Sequence, residues 1–103
     1  MSVLISISIF PLDKGESVSE YVTRAVKVIK DSGYSYLLTP METVIEVESI
    51  EAALKIVENC FKVLEIDCNR IIVNIKIDYR KGKFNRIREK IKSVEEKLER
   101  FQK

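Results

Sequence analysis

Pro40-Met41-Glu42-Thr43-Val44-Ile45-Glu46-Val47-Glu48 reads as a strand entered through a turn. Thr43, Val44, Ile45 and Val47 are β-branched, and such side chains fit a pleated surface. Side chains alternate along a strand, so Thr43, Ile45 and Val47 share one face. Glu42, Val44, Glu46 and Glu48 share the other. The first face is apolar enough to pack on helices. Pro40 has no amide hydrogen for a ladder, so no central strand runs through it. A turn there joins this strand to the one before it. Glu46 sits mid-strand, where a carboxylate is costly unless water, a partner or a cation compensates it.

Upstream, residues 34–39 form that earlier strand, with Tyr34, Tyr36 and Leu38 facing one way and Ser35, Leu37 and Thr39 the other. Before it, Ser17-Val18-Ser19-Glu20 has the form of a capping box, Ser17 at the N-cap and Glu20 at the third helical position. Val18, Tyr21, Val22, Ala25, Val26 and Ile29 follow at helical spacing, and Gly33 supplies the stop. Earlier still, residues 3–10 alternate. Val3, Ile5, Ile7 and Ile9 oppose Leu4, Ser6, Ser8 and Phe10, and Pro11 ends the strand.

Downstream, Ser49 caps a second helix whose stripe is Ile50, Ala53, Leu54, Val57, Cys60, Phe61 and Leu64. Residues 70–79 form a fourth strand. Ile71, Val73, Ile75, Ile77 and Tyr79 lie on one side, and Ile72, Asn74, Lys76 and Asp78 on the other. A basic turn, Arg80-Lys81-Gly82-Lys83, leads to a last helix over about 84–101. Phe84, Ile87, Ile91, Val94, Leu98 and Phe101 make a seam narrower than a core helix shows, which reads as an oligomer contact.

The order strand, helix, strand, strand, helix, strand predicts an α+β fold over a single domain, residues 1–103. Right-handed crossovers give a four-stranded antiparallel sheet with both helices on one face and the C-terminal helix added. The expected strand order is fourth, first, third, second. The helix-free face then mixes apolar groups with hydroxyls, an amide and charges. That mixture suits a surface partly buried by another subunit and holding a pocket. Glu46 on it is a candidate anion for a cationic or amine-bearing ligand. Ser6, Ser8 and Asn74 are candidates for orienting hydrogen bonds. Thr39 and Thr43 flank the turn and serve either the turn or a ligand.

Several function classes are disfavoured. The chain has 103 residues, 46% hydrophobic and 33% charged, with a net charge of +2 too small to argue for nucleic acid by itself. No apolar run approaches the roughly 20 residues of a membrane span, and no basic segment opens a signal peptide, so a cytoplasmic protein is expected. Cys60 and Cys68 are expected as reduced thiols. With no histidine in the chain, neither a metal site nor the commonest general base is available. No serine has an activating partner, and three glycines are too scattered for a phosphate loop. The expectation is a binding protein, not an enzyme, with no cofactor, no metal and no catalytic residue. Two other readings share the topology. One is a nucleic-acid module using the basic segment 80–92, although Ser6, Ser8, Asn74 and Lys76 stand where an RNA-recognition sheet needs aromatics. The other is an ACT-like regulatory module for small molecules, although Gly15 lies late for its loop.

Taken together, Ile7-Ser8-Ile9-Phe10-Pro11-Leu12, Ser17-Val18-Ser19-Glu20-Tyr21-Val22, Ser32-Gly33-Tyr34, Thr39-Pro40-Met41-Glu42-Thr43-Val44-Ile45-Glu46, Arg70-Ile71-Ile72-Val73 and Lys76-Ile77-Asp78-Tyr79-Arg80 resemble the thiamine-binding (YkoF-like) family of small ferredoxin-like proteins. The resemblance runs from Val3 to about Val94. Ser8, Pro11, Pro40, Thr43, Glu46, Arg70 and Arg80 match its pattern, while Glu42 stands where glycine is commoner. It implies sheets packed face to face in dimers, a dimer of dimers as the assembly, and thiamine or its hydroxymethylpyrimidine part as ligand. Glu46 would meet the thiazolium or the amino group, Ser6, Ser8 and Asn74 the ring nitrogens, and Phe10 and Leu37 the ring faces.

Overall fold

The computed structural model describes residues 2–101. The chain runs β1 (Ser2–Pro11), α1 (Ser19–Asp31), β2 (Tyr36–Leu38), β3 (Thr43–Val47), α2 (Ile50–Glu65), β4 (Ile71–Arg80) and α3 (Arg86–Phe101). The sheet order is β2-β3-β1-β4, each neighbour antiparallel. This is the ferredoxin-like α+β arrangement that the strand and helix periods predict.

β1 is the spine of the sheet. It is paired with β4 from Ser2 to Pro11 and with β3 from Val3 to Ile7. Ile5 lies between Ile45 and Ile77, and Ile5 and Ile45 are wholly buried. The alternation seen in the sequence therefore sorts the faces. Val3, Ile5, Ile7 and Ile9 turn towards the helices and meet Ala25 and Ile29 of α1 and Ala53, Ile56, Cys60 and Leu64 of α2. Burying one such isoleucine stabilises the fold by roughly 1.5–3 kcal/mol.

Local signals hold at two helix ends and fail at one. Ser49 accepts from the Ala52 amide at 3.1 Å, capping α2 as expected. Gly33, at φ +81°, follows the Ser32 C-cap of α1 in the left-handed conformation that favours glycine. The capping box at Ser17 does not form. The N-cap is Val18, with no side-chain hydrogen bond, and the helix starts at Ser19. Val18 is drawn half inside with the apolar stripe, and Glu20 turns to Arg24 at 3.4 Å instead of back to the cap. β2 is also shorter than the alternation predicts, because Thr39 belongs to the turn.

Both cysteines are free thiols. Burial pushes the Cys60 thiol up to about 11, so it is inert at neutral pH. The last helix begins two residues later than expected and leaves Phe84 outside, 66% exposed. It extends the molecule to 51 × 31 × 19 Å. The radius of gyration is 15.5 Å, against about 13 Å for a compact chain of this length.

Candidate functional site

Two places on the sheet gather the residues singled out by the sequence. The first is the corner where α3 begins. Glu46 lies on the sheet face opposite α1 and α2, in one row with Leu4 and Asp78; that face, expected to be free of helices, carries the first turn of α3. Its Oε2 accepts from the Ser2 hydroxyl at 2.8 Å, and its Oε1 accepts from the Ile87 amide at 3.3 Å. Burial pushes this carboxyl up, but the amides of Arg86, Ile87 and Asn85 and the Ser2 hydroxyl outweigh it, leaving the pKa below its ordinary value. A carboxylate is well placed here, because the first-turn amides of a helix carry partial positive charge. Arg86 is buried. Its Nη1 donates to the Ser2 and Asp78 carbonyls at 3.3 and 2.7 Å, and its Nη2 meets Asp78 Oδ2 at 2.7 Å. Lys90 reaches the same oxygen at 2.5 Å. These two cations hold the Asp78 carboxyl down at about 2. The corner clamps the first turn of α3 onto the sheet. Beside it, a recess of about 680 Å³ opens between Tyr36 and Leu37 of β2, Glu46, and Ile87 and Ile91 of α3.

The second place is the opposite end of the sheet. β3 begins at Thr43, opposite Ile7, so β1 from Ser8 onward has β4 on one side and no strand on the other. A cleft of about 350 Å³ lies there. It is lined by the end of β1 from Ile7 to Phe10, by the turn Thr39-Pro40-Met41-Glu42-Thr43, and by Val18, Val22 and Val26 of α1. The Thr39 hydroxyl stiffens the turn, donating to the Glu42 carbonyl at 2.7 Å and accepting from the Glu42 and Met41 amides. Thr43 is only 5% exposed. Among the described residues, neither its hydroxyl nor that of Ser8 has a hydrogen-bond partner within the protein. Thr43 belongs to the helix-facing row with Ile7, whereas Ser8 belongs to the opposite row with Asn74. The cleft is thus lined by residues from both rows of the sheet.

The eight candidate residues therefore fall in three groups. Ser8, Phe10, Thr39 and Thr43 line the cleft. Leu37 and Glu46 line the recess under α3. Ser6 and Asn74 lie on the sheet face opposite α1 and α2 between them, Ser6 across from Lys76 and Val44, Asn74 across from Ser8. Sequence reasoning missed the α1 side of the cleft, because Val18, Val22 and Val26 read as ordinary core positions. It also missed Ser2 and Arg86, which no periodicity marks. Among the described residues, no helix is long and apolar enough to cross a membrane.

The sequence profile described as thiamine-binding protein matches residues 5–95, from β1 well into α3. The chain belongs to the thiamine-binding protein family. It is 36% identical over 94 residues to the UPF0045 protein MJ1052 of Methanocaldococcus jannaschii, covering 91% of this chain and 93% of the relative. The crystal structure of that protein superposes with a TM-score of 0.83 over 92% of this chain and 97% of the other. A Thermotoga maritima structure, assigned provisionally to thiamine biosynthesis or salvage, is 28% identical with a TM-score of 0.80, covering 91% and 99% of the two chains. A designed protein with a ferredoxin fold matches at a TM-score of 0.51 and 14% identity over 82% of this chain and 90% of the other, a likeness of fold alone.

Proposed function

We propose that this thiamine-binding family protein holds thiamine, or its hydroxymethylpyrimidine part, without transforming it. The site is the cleft at the Ser8 end of the sheet, closed by a second copy seated on the sheet face opposite α1 and α2. One observation carries the reading. Ser8 and Thr43, whose hydroxyls have no partner among the described residues, both line a small cleft whose lining is otherwise largely apolar. A hydroxyl both donates and accepts, so the pair can read the ring nitrogens and amino group of a pyrimidine. Phe10, Val22 and Met41 offer surfaces for the ring faces. Glu42, at the same cleft, offers a carboxylate to the thiazolium charge. The volume lies within the range of about 300–1,000 Å³ typical of small-molecule sites.

Glu46 has a different part in this reading. Its two oxygens are already used by Ser2 and α3, so it shapes the second copy's seat by fixing the helix. The apolar seam of α3 and the half-polar sheet face are the surfaces that copies share, in a dimer of dimers. The role that fits is carriage, sensing or salvage of the vitamin in the cytoplasm.

Titration calorimetry on the purified chain tests it. Heat of binding is expected with thiamine and with hydroxymethylpyrimidine, and it is expected to disappear in Val22→Trp, which fills the cleft from the α1 side. Absence of heat from both compounds with the wild-type chain would overturn the reading.

A further inference from the structure

The link between β4 and α3 builds a recess of its own. Gly82 and Asn85, at φ +76° and +55°, bend the chain after Arg80. The bend sets Arg80 and Lys83 around one hollow with Lys90 and Ser93 of α3, about 470 Å³ in volume. That volume falls within the range of small-molecule sites. The lining shares no residue with the cleft at Ser8.

The recess is cationic. Arg80, Lys83, Arg86 and Lys90 line it against one acid, Glu89. Arg86 and Lys90 already share Asp78, in the clamp on α3. Arg80 and Lys83 are different. Among the described residues, neither side chain has a hydrogen bond or an ion pair, and neither does the Ser93 hydroxyl. With Asp78 counted beside Glu89, cations still exceed acids by two. An aromatic ring completes the lining. Phe84 stays largely exposed beside these charges, outside the core that α1 and α2 cover. The fold gains nothing from a large bare ring among unpaired cations. A ligand with a flat ring and phosphate groups would cover the one and neutralise the others.

We propose that this recess binds a nucleotide, its phosphates on Arg80, Lys83 and the Ser93 hydroxyl and its base stacked on Phe84. A guanidinium offers paired N–H donors that match phosphate oxygens, and an ammonium adds a point charge. The site does not depend on the helix N-terminus, where Glu46 already accepts the Ile87 amide. The ligand is a small molecule and not a nucleic-acid strand. A strand needs cations along many phosphates. Here Glu95 and Glu96 follow Ser93 and Val94 on α3. The sheet likewise offers Ser6, Ser8 and Asn74 where stacking aromatics would be required.

Equilibrium dialysis on the full chain tests it, with ADP as the probe and pyrophosphate as its ring-free counterpart. The wild type is expected to retain ADP at millimolar concentration or below. Arg80→Ala with Lys83→Ala is expected to weaken both probes by about tenfold or more. Both side chains are exposed and hydrogen-bond nothing among the described residues, so circular dichroism is expected to stay unchanged. Phe84→Ala is expected to weaken ADP by about fivefold and to leave pyrophosphate alone. Arg88→Ala with Lys92→Ala removes the same charge from residues outside the recess, and is expected to leave ADP binding unchanged. No ADP retained by the wild type at several millimolar overturns the proposal. An equal loss in the Arg88 and Lys92 pair overturns a built site in favour of diffuse attraction. Equal effects of Phe84→Ala on both probes overturn the stacked base, and an RNA oligomer held where ADP is not overturns the small ligand.

Discussion

The Glu46 carboxylate accepts the backbone amide of Ile87 at 3.3 Å, tying the middle strand of the chain to the first turn of its last helix. Side-chain caps are worth about 1 kcal/mol, somewhat more when the cap is charged and partly buried. Glu46→Ala is therefore expected to lower unfolding stability by about 1–2 kcal/mol. Glu46→Gln keeps an acceptor and is expected to cost less. Hydrogen exchange at residues 87–91 should quicken in both variants while β1 stays protected. Unchanged exchange in α3 would mean that the helix is anchored by other contacts.

The same corner responds to acid. A carboxyl whose folded pKa lies below its unfolded value stabilises the fold above the unfolded value, and that contribution fades as pH falls through the folded one. Lys90 and Arg86 hold Asp78 at about 2, below its ordinary 3.8. Glu46 is likewise lowered from 4.5, its amide and hydroxyl donors overcoming burial. The clamp on α3 should be constant from neutral pH down to about 5 and weaken progressively below that. The Ile87 amide resonance is the direct reporter. Its titration midpoint is expected below 4.5, and a midpoint above that value would contradict the hydrogen-bonded arrangement.

The sheet was legible because each strand carries a period-two pattern that fixes which side chains face the helices. Ile5, Ile45 and Ile77 share one helix-facing row, and a slip of one residue would turn the polar set inward. The helix start at Ser17 was misread because a capping box is a local signal worth about 1 kcal/mol, and burial of Val18 outweighs it. The candidate site was legible only in part. Ser8, Phe10, Thr39 and Thr43 do come together, but the cleft that joins them exists because β3 starts late, and no residue type announces a missing strand. Ser2 and Arg86 escaped notice for a related reason. Their partners are backbone carbonyls and a carboxylate more than forty residues away for Ser2, and for Arg86 a carbonyl 84 residues away.

Ile5 gives a direct check on the core. It is wholly buried, with Ile45 and Ile77 as its neighbours across both ladders. Ile5→Ala removes buried methylene groups from a row that cannot collapse without breaking the sheet. The expected loss is about 2–5 kcal/mol in urea unfolding, with an unchanged denaturant slope. A loss under about 1 kcal/mol would mean that the row repacks.

The cleft hydroxyls separate binding from stability. Thr43→Val keeps the shape and removes a hydroxyl that has no partner in the protein. Thermal stability is expected to hold or rise slightly. Affinity for hydroxymethylpyrimidine is expected to fall by about fivefold, the worth of one neutral hydrogen bond. Ser8→Ala should behave alike, while Ser6→Ala, outside the cleft, should leave affinity unchanged. Equal affinities across all three variants would place the ligand elsewhere.

The exposed seam of α3 makes the last prediction. Ile91, Val94, Leu98 and Phe101 are 42%, 58%, 53% and 87% exposed, although they repeat at the spacing of a packed helix face. A single copy gains nothing from that spacing, and a partner surface would bury it. Val94→Glu with Leu98→Glu is expected to reduce the assembled mass in light scattering while circular dichroism of the sheet is retained. An unchanged mass would leave the seam without a partner.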